Sequence, residues 1–354
     1  MGRNPTGPEV EGLEAASCRE KRRGGSGLSR AVCERSSATT SSDALRKAPV
    51  GIVGVGAVGT SIGLALRGGG EVTIGFDASP RHLEQSRDMG AIRVMASGFE
   101  ELSACKAIFI AVPPREVVPV SRVLLEVGGG AVIDVASVKG EIADAVRDPR
   151  FVPSHPLRGT HLSGPSAGRK DLFVGAAWVV CPTSWTCLKQ VAAAEDLIRK
   201  MGAEPLRLDP DRHDAVMATT SHLPHVVASC LVHALGRVDR GLAGRMVGGG
   251  FLDTTRIARA NPALWADIGI RNRQELADAI TELVNRLQAV KAALGEGDAQ
   301  QVLAFFSEAR GLMDDLFPEG VHVTPRSKRR ELVGVLSPRP RQPHRLAGEL
   351  QGAH

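Results

Sequence analysis

Tyrosine is absent from the 354-residue chain and aromatic residues make up 3% of it, a bias that accompanies a composition heavy in Ala, Gly, Arg and Val. Paired cysteine motifs are missing too. The six cysteines, at positions 18, 33, 105, 181, 187 and 230, form no C-x-x-C pair and share no ligand spacing with histidine. That argues against a metal site and reads as a reduced intracellular protein. No uninterrupted apolar run approaches the roughly 18–20 residues of a membrane helix. The N-terminus lacks the apolar core of a secretion signal and holds too many acids for a transit peptide. A cytoplasmic protein with no membrane partner is expected. A basic face is lacking as well. The net charge is +5, but residues 1–49 carry nine Lys/Arg against six Asp/Glu, and residues 324–354 seven against two. The basic excess therefore sits at the two ends and the body between them is net acidic, which excludes a nucleic-acid-binding core.

What is present is a two-domain length with an ordinary 43% hydrophobic and 23% charged content. Residues 1–47 read as a disordered extension and 321–354 as a disordered basic tail. From 48 to 209 strand-like and helix-like stretches alternate, the pattern of an α/β fold with a doubly wound, mostly parallel sheet. Apolar strands are expected at 48–53, 72–76, 107–112, 131–135, 151–152, 176–180 and 204–208. From 210 to 320 the chain turns to helix after helix, at 213–237, 270–294 and 297–314, with a Gly-rich loop at 248–251. A helical domain of that size is expected to pair with a second copy, making a homodimer.

Within the first domain, Gly54-Val55-Gly56-Ala57-Val58-Gly59 follows a strand and opens a helix, and the next strand ends in Asp77. Strand, glycine turn, helix, strand and acid together are the context of a dinucleotide fingerprint. Gly54 permits the turn, Gly56 lets a pyrophosphate approach, and Gly59 lets helix and strand pack closely. The N–H groups at the helix start, around Ala57 and Val58, face the phosphates. Asp77 accepts from a ribose diol and repels the extra phosphate of NADP, so the expected cofactor is NAD, although Arg81 lies close by. Val112 and Pro113, ending the strand at 107–112, line the same crevice, as do Asp134 to Lys139 and His155.

Four further stretches carry more polar chemistry than packing requires: Asp134 to Gly140, Ser154 to His161, His213-Asp214 with Ser221 to His225, and Asp253 to Arg256 with Trp265 beyond. Taken singly each has a plainer reading. His155-Pro156 can be a strand-end turn, His222 and His225 can be mere neighbours on a helix face, and Arg256 can be a surface ion pair. No carboxylate-rich partner supports a metal there.

Taken together, the runs GVGAVGTSIGLAL, DVASVKG, SHPLRGTHLSGPSAGRKDLFVGAAWVVCP, HDAVMATTSHLPH and GGGFLDTTRIA, in order across residues 48–318, resemble the prephenate/arogenate dehydrogenase family. The resemblance implies a Rossmann domain at 48–209, a helical dimerisation domain at 210–320, and substrate in the cleft between them. It implies NAD-dependent oxidative decarboxylation of prephenate or arogenate. His155 matches the family's catalytic histidine, and Ser137 would hydrogen-bond both the ring hydroxyl and the nicotinamide end. Arg256, His225, Thr160 and Ser221 match polar contacts to the substrate, and Asp214 would orient His225 or a neighbour. Trp265 matches an aromatic near the substrate's side chain, and Gly249 is expected to reach across the dimer. Arg158 and His161 depart from many relatives. Some relatives also carry a C-terminal regulatory domain for which the remaining residues are too few, so feedback inhibition through one is not expected. As a neutral base, His155 should lose activity as pH falls through its unperturbed pKa of about 6.5. A β-hydroxyacid dehydrogenase or imine reductase and a non-enzymatic dinucleotide sensor stand as the other readings. The former relatives use a helix lysine where this chain offers Arg256 and His225.

Overall fold

The computed structural model describes residues 48–159 and 162–318, which belong to one contiguous unit. The expectations for 1–47 and for 321–354, with Thr160 and His161, lie outside the described residues. Strands β1 (Val50–Val53), β2 (Thr73–Phe76), β3 (Val94–Met95), β4 (Ala107–Ile110), β5 (Ala131–Asp134), β6 (Phe151–Pro156), β7 (Ala177–Val180) and β8 (Glu204–Arg207) form one sheet, ordered β3-β2-β1-β4-β5-β6-β7-β8. Only the β6–β7 pair is antiparallel. β1, β4, β5 and β6 are buried at every position, as apolar strands must be when helices cover both faces.

Those helices are α1 (Ala57–Gly68), α2 (Pro80–Asp88), α3 (Pro114–Val127), α4 (Gly140–Ala145) and α5 (Leu188–Lys200). Alternation along each strand divides the core in two. Phe109 of β4 packs with Ile62, Leu66, Val191 and Ile198 of α1 and α5. Its neighbours Ile108 and Ile110 pack with Val117 and Leu124 of α3 on the other side. The strand order reverses between β1 and β4, so their carboxyl ends open a crevice. Gly54 sits there at φ +85. A Cβ on Gly54 would lie 2.5 Å from Ala111 O, and one on Gly59 1.8 Å from Gly54 O. Neither position admits a side chain.

The helical part comprises α6 (Pro210–Met217), a π-helical turn at Ala218–His222, α7 (Leu223–Ala234), α8 (Arg240–Met246), α9 (Gly249–Thr255), a 3-10 turn at Arg256–Arg259, α10 (Pro262–Arg271), α11 (Arg273–Glu296) and α12 (Ala299–Leu316). The long helix expected from 213 is thus continuous but widened. Pro224 has no N–H, and its ring crowds the carbonyl one turn back, which favours the wider turn just before it. The two parts are tied by Arg271, which binds Glu141 of α4 and Asp267 of α10, and by the Arg115 N–H, which donates to Asp267.

Three expectations need correction. The Gly-rich loop is helical from Gly249, where Thr254 and Thr255 hydroxyls bond the Gly250 and Phe251 carbonyls. Packing on α7 overrides glycine's weak propensity. The two-residue β3 was not expected, because its side chains are exposed and leave no apolar signal of burial. The helical stretch Pro210–Arg237 is long and apolar enough to cross a membrane by length and composition only, and polar side chains interrupt it, so it is not an uninterrupted apolar run. Finally, Cys105, Cys181 and Cys230 are free but Cys187 is disulfide-bonded, so the wholly reduced reading fails there.

Candidate active site

The dinucleotide turn is held in shape by its own acid. Asp77 Oδ2 accepts the Val55 N–H and Oδ1 the Ser79 N–H, at 2.9 and 2.8 Å, pinning the carboxylate beside the Gly54–Gly59 turn. Thr60 of α1 donates to Val55 O at 2.8 Å, closing the turn from the other side. The first N–H groups of α1, at Ala57, Val58 and Gly59, have no acceptor within their helix. A Cβ on Gly56 would meet no protein atom within 4 Å, so glycine there answers no packing demand and fits the close approach of a phosphate. Val112 is half-buried and Pro113 exposed at the end of β4, across the crevice. These residues fit a dinucleotide.

Beside this crevice β5 and β6 end in a buried polar network. Lys139 Nζ donates to Asp134 Oδ1 and Oδ2 at 2.5 and 2.6 Å and to Ser154 O at 2.7 Å, and both charged side chains are 0% exposed. Burial pushes the Asp134 carboxyl upward, while the Lys139 charge and the Ala136 and Ser154 N–H groups pull it down. Ser154 Oγ donates to Asp134 O at 2.6 Å and accepts from Trp178 Nε1 at 3.0 Å. The network fixes both strand ends. Ser137 follows one and stays half-exposed, and His155 stands on the other, 7% exposed.

The helical part completes the cluster. His155 Nδ1 meets His213 Nε2 at 2.9 Å, and His213 Nδ1 meets Asp214 Oδ1 at 2.7 Å. Asp214 also accepts the Lys139 and Gly140 N–H groups, each at 2.8 Å. Asp214 was expected to orient His225 or a neighbour; the neighbour is His213, next to it on α6. Burial, then the nearby His213, Lys139 and His222, hold the His155 pKa well below 6.5. A fall of activity near the unperturbed value is therefore corrected to a lower pH. His155 stays neutral through the neutral range, as an acceptor of a hydroxyl proton must.

On the π turn His222 is buried, and Asn272 Nδ2 reaches both its Nδ1, at 3.0 Å, and Asp214 O, at 2.9 Å. Burial lowers the His222 pKa to about 4. With Nδ1 accepting, the hydrogen sits on Nε2, a buried atom with no hydrogen-bond partner among the described residues. Trp265 lies 6.0 Å away, edge to face, and stacks on His225 at 3.4 Å between ring centroids. His225 is lowered to about 4 by burial and by the Arg256 charge. Arg256 is exposed, Ser221 and Trp265 are half-buried, and Arg158 is half-buried directly after β6.

The fold thus joins His155, Asp214, His225, Trp265 and Arg256 into one continuous cluster through His213, Asn272 and His222. Gly249 is exposed at the start of α9, and a Cβ there would meet nothing within 4 Å. No described contact links it to the cluster. Sequence reasoning placed Lys139 at the crevice and His213 in a polar stretch without giving either a role in the site, and it missed Asn272. His213 and Lys139 stood inside motif runs, but Asn272 had no signal at all.

Known proteins match both parts of the fold. The family model described as the nucleotide-binding domain of prephenate dehydrogenase matches residues 62–206, and the model of its dimerization domain matches residues 209–308. A prephenate dehydrogenase of Bacillus subtilis is 30% identical over 75% of this chain and 75% of its own. A crystal structure of prephenate dehydrogenase from A. aeolicus in complex with hydroxyphenyl propionate and NAD+ is 28% identical, with a TM-score of 0.71 over 76% of this chain and 98% of that one. Synechocystis arogenate dehydrogenase is 26% identical, with a TM-score of 0.66 over 75% and 99%.

Proposed function

The chain belongs to the prephenate dehydrogenase family, and from that premise we propose that it is an NAD-dependent prephenate dehydrogenase. It would convert prephenate to 4-hydroxyphenylpyruvate by oxidative decarboxylation. The observation that carries the reading is a buried, neutral His155 at the end of β6, beside the dinucleotide crevice and backed by His213 and Asp214. When bound, the nicotinamide of NAD supplies the two-electron acceptor.

The protein's own groups do the rest. His155 Nε2 accepts the proton of the ring hydroxyl as that carbon is oxidised, and Ser137 donates to the same oxygen. Loss of carbon dioxide from the ring carbon then leaves an aromatic phenol. Arg256 offers a bidentate guanidinium to one substrate carboxylate, and His222 Nε2–H is a donor with no hydrogen-bond partner among the described residues. Thr160, Ser221 and His225 are assigned to the remaining polar contacts, with Trp265 against the substrate's side-chain end and Gly249 approaching from a second copy. Apolar side chains exposed on the helical part, Leu287, Leu303, Phe306 and Leu316 among them, support a homodimer. Arogenate is the second reading, because it differs only in an amino group where prephenate has a keto group and a relative of similar identity carries that name. NADH formation with the two acids side by side, with product identification, tests the proposal; turnover of neither would overturn it.

Two expected outcomes follow from the binding groups. Asp77→Ala should weaken NAD use and narrow the gap to NADP, because the carboxylate that meets the ribose diol is gone. A wild-type enzyme that used NADP more efficiently than NAD would refute that role. Arg256→Ala should raise KM more than about tenfold, with kcat falling less, since an unpaired substrate carboxylate costs about 2–5 kcal/mol. Steady-state kinetics decide it, and an unchanged KM removes Arg256 from the substrate site.

A further inference from the structure

We infer that His213 is a positioning residue that sets which ring nitrogen of His155 carries the hydrogen. The inference rests on the reading of His155 as the base. It begins at Asp214, whose Oδ1 and Oδ2 accept the Lys139 and Gly140 backbone N–H groups. Backbone amides can only donate, so Asp214 is an acceptor throughout. The hydrogen in its 2.7 Å contact with His213 therefore sits on His213 Nδ1. A neutral imidazole protonated at Nδ1 has a lone pair at Nε2. That lone pair lies 2.9 Å from His155 Nδ1, so His155 must donate from Nδ1. Its remaining nitrogen, Nε2, is left as the basic one.

The opposite arrangement is costly. With the hydrogen on His155 Nε2, two lone pairs would face each other at 2.9 Å, or His213 would need a second proton. The groups facing His155 are His213, Lys139 and His222, with Asp134 behind Lys139 and Asp214 behind His213. The rings meet edge to face, 5.1 Å between centroids at 74°. They are 7% and 1% exposed, so little water can replace the bond. An isolated imidazole prefers its hydrogen on Nε2. The chain Asp214–His213–His155 reverses that preference, in the way a third group orients the base of a catalytic triad.

The test reads the tautomer directly. Protein labelled with ¹⁵N at its 10 histidines gives long-range ¹H–¹⁵N correlations that separate protonated from unprotonated ring nitrogens, and loss of signals in His155→Asn assigns that ring. Wild-type protein at neutral pH should show His155 protonated at Nδ1 and bare at Nε2. His213→Leu, which cannot accept, should shift it to the Nε2–H form and lower kcat about 100-fold with KM little changed. His213→Gln, whose amide can both accept from His155 and donate to Asp214, should restore the tautomer and most of the rate.

An Nε2–H form in folded wild-type protein overturns the inference. So does a folded His213→Leu variant that keeps the Nδ1–H form or the full rate. Should His213→Leu fail to fold, the wild-type and His213→Gln spectra decide alone. The spectra need no substrate. A correct tautomer without turnover of either ring acid would count against the proposed function, not against this role.

Discussion

His155→Asn should lower turnover of the ring acid by about 100- to 10,000-fold, the usual worth of a positioned acid–base group. The side chain stays polar and close in size but supplies no base. Affinity for NAD should barely change, because the turn that carries it, Gly54 to Gly59 with Asp77, is held by Val55, Ser79 and Thr60. The pH profile sharpens the test. The active form of His155 is the neutral one, and burial lowers its pKa, so the acidic limb of the wild-type profile should lie below pH about 6.5. In the variant that limb should vanish. A variant with near-normal kcat and the same limb would transfer the role of base elsewhere, and His225 would be the next to replace.

Lys139→Met should destabilise the protein by about 3–5 kcal/mol, the cost of leaving one partner of a buried ion pair uncompensated. Here the survivor is Asp134, 0% exposed and already pushed upward by burial. Urea denaturation should show the loss as a lower midpoint at an unchanged slope. The double variant Lys139→Met with Asp134→Leu should recover much of it, because replacing a whole buried pair by apolar groups is often neutral. A single variant as stable as wild type would mean that the pair contributes nothing to holding β5 against β6.

Much of this arrangement was legible in the sequence because it is local. Gly54, Gly59 and Asp77 sit within one strand-turn-helix-strand unit, and their spacing follows from backbone sterics. Ser137 lies shortly after buried β5 and His155 near the end of buried β6, so a reading of the strands delivers them to the crevice. The partnership of His155 with His213 was not legible. It spans 58 residues and depends on how α6 seats against the end of β6, which no periodicity encodes. Lys139 read as a motif residue with nothing to mark it as fully buried. Asn272 fell inside the helix expected at 270–294 with nothing to single it out, yet it sits between α10 and α11 and bridges Asp214 and His222.

The carboxylate of Asp214 belongs to α6, while two of its three donors are the amides of Lys139 and Gly140 at the start of α4. One side chain therefore serves as both latch and safety catch. A separation of the helical part from the sheet would break those two amide bonds together with the His213–His155 contact. Without that contact nothing on α6 would fix which ring nitrogen of His155 carries its hydrogen.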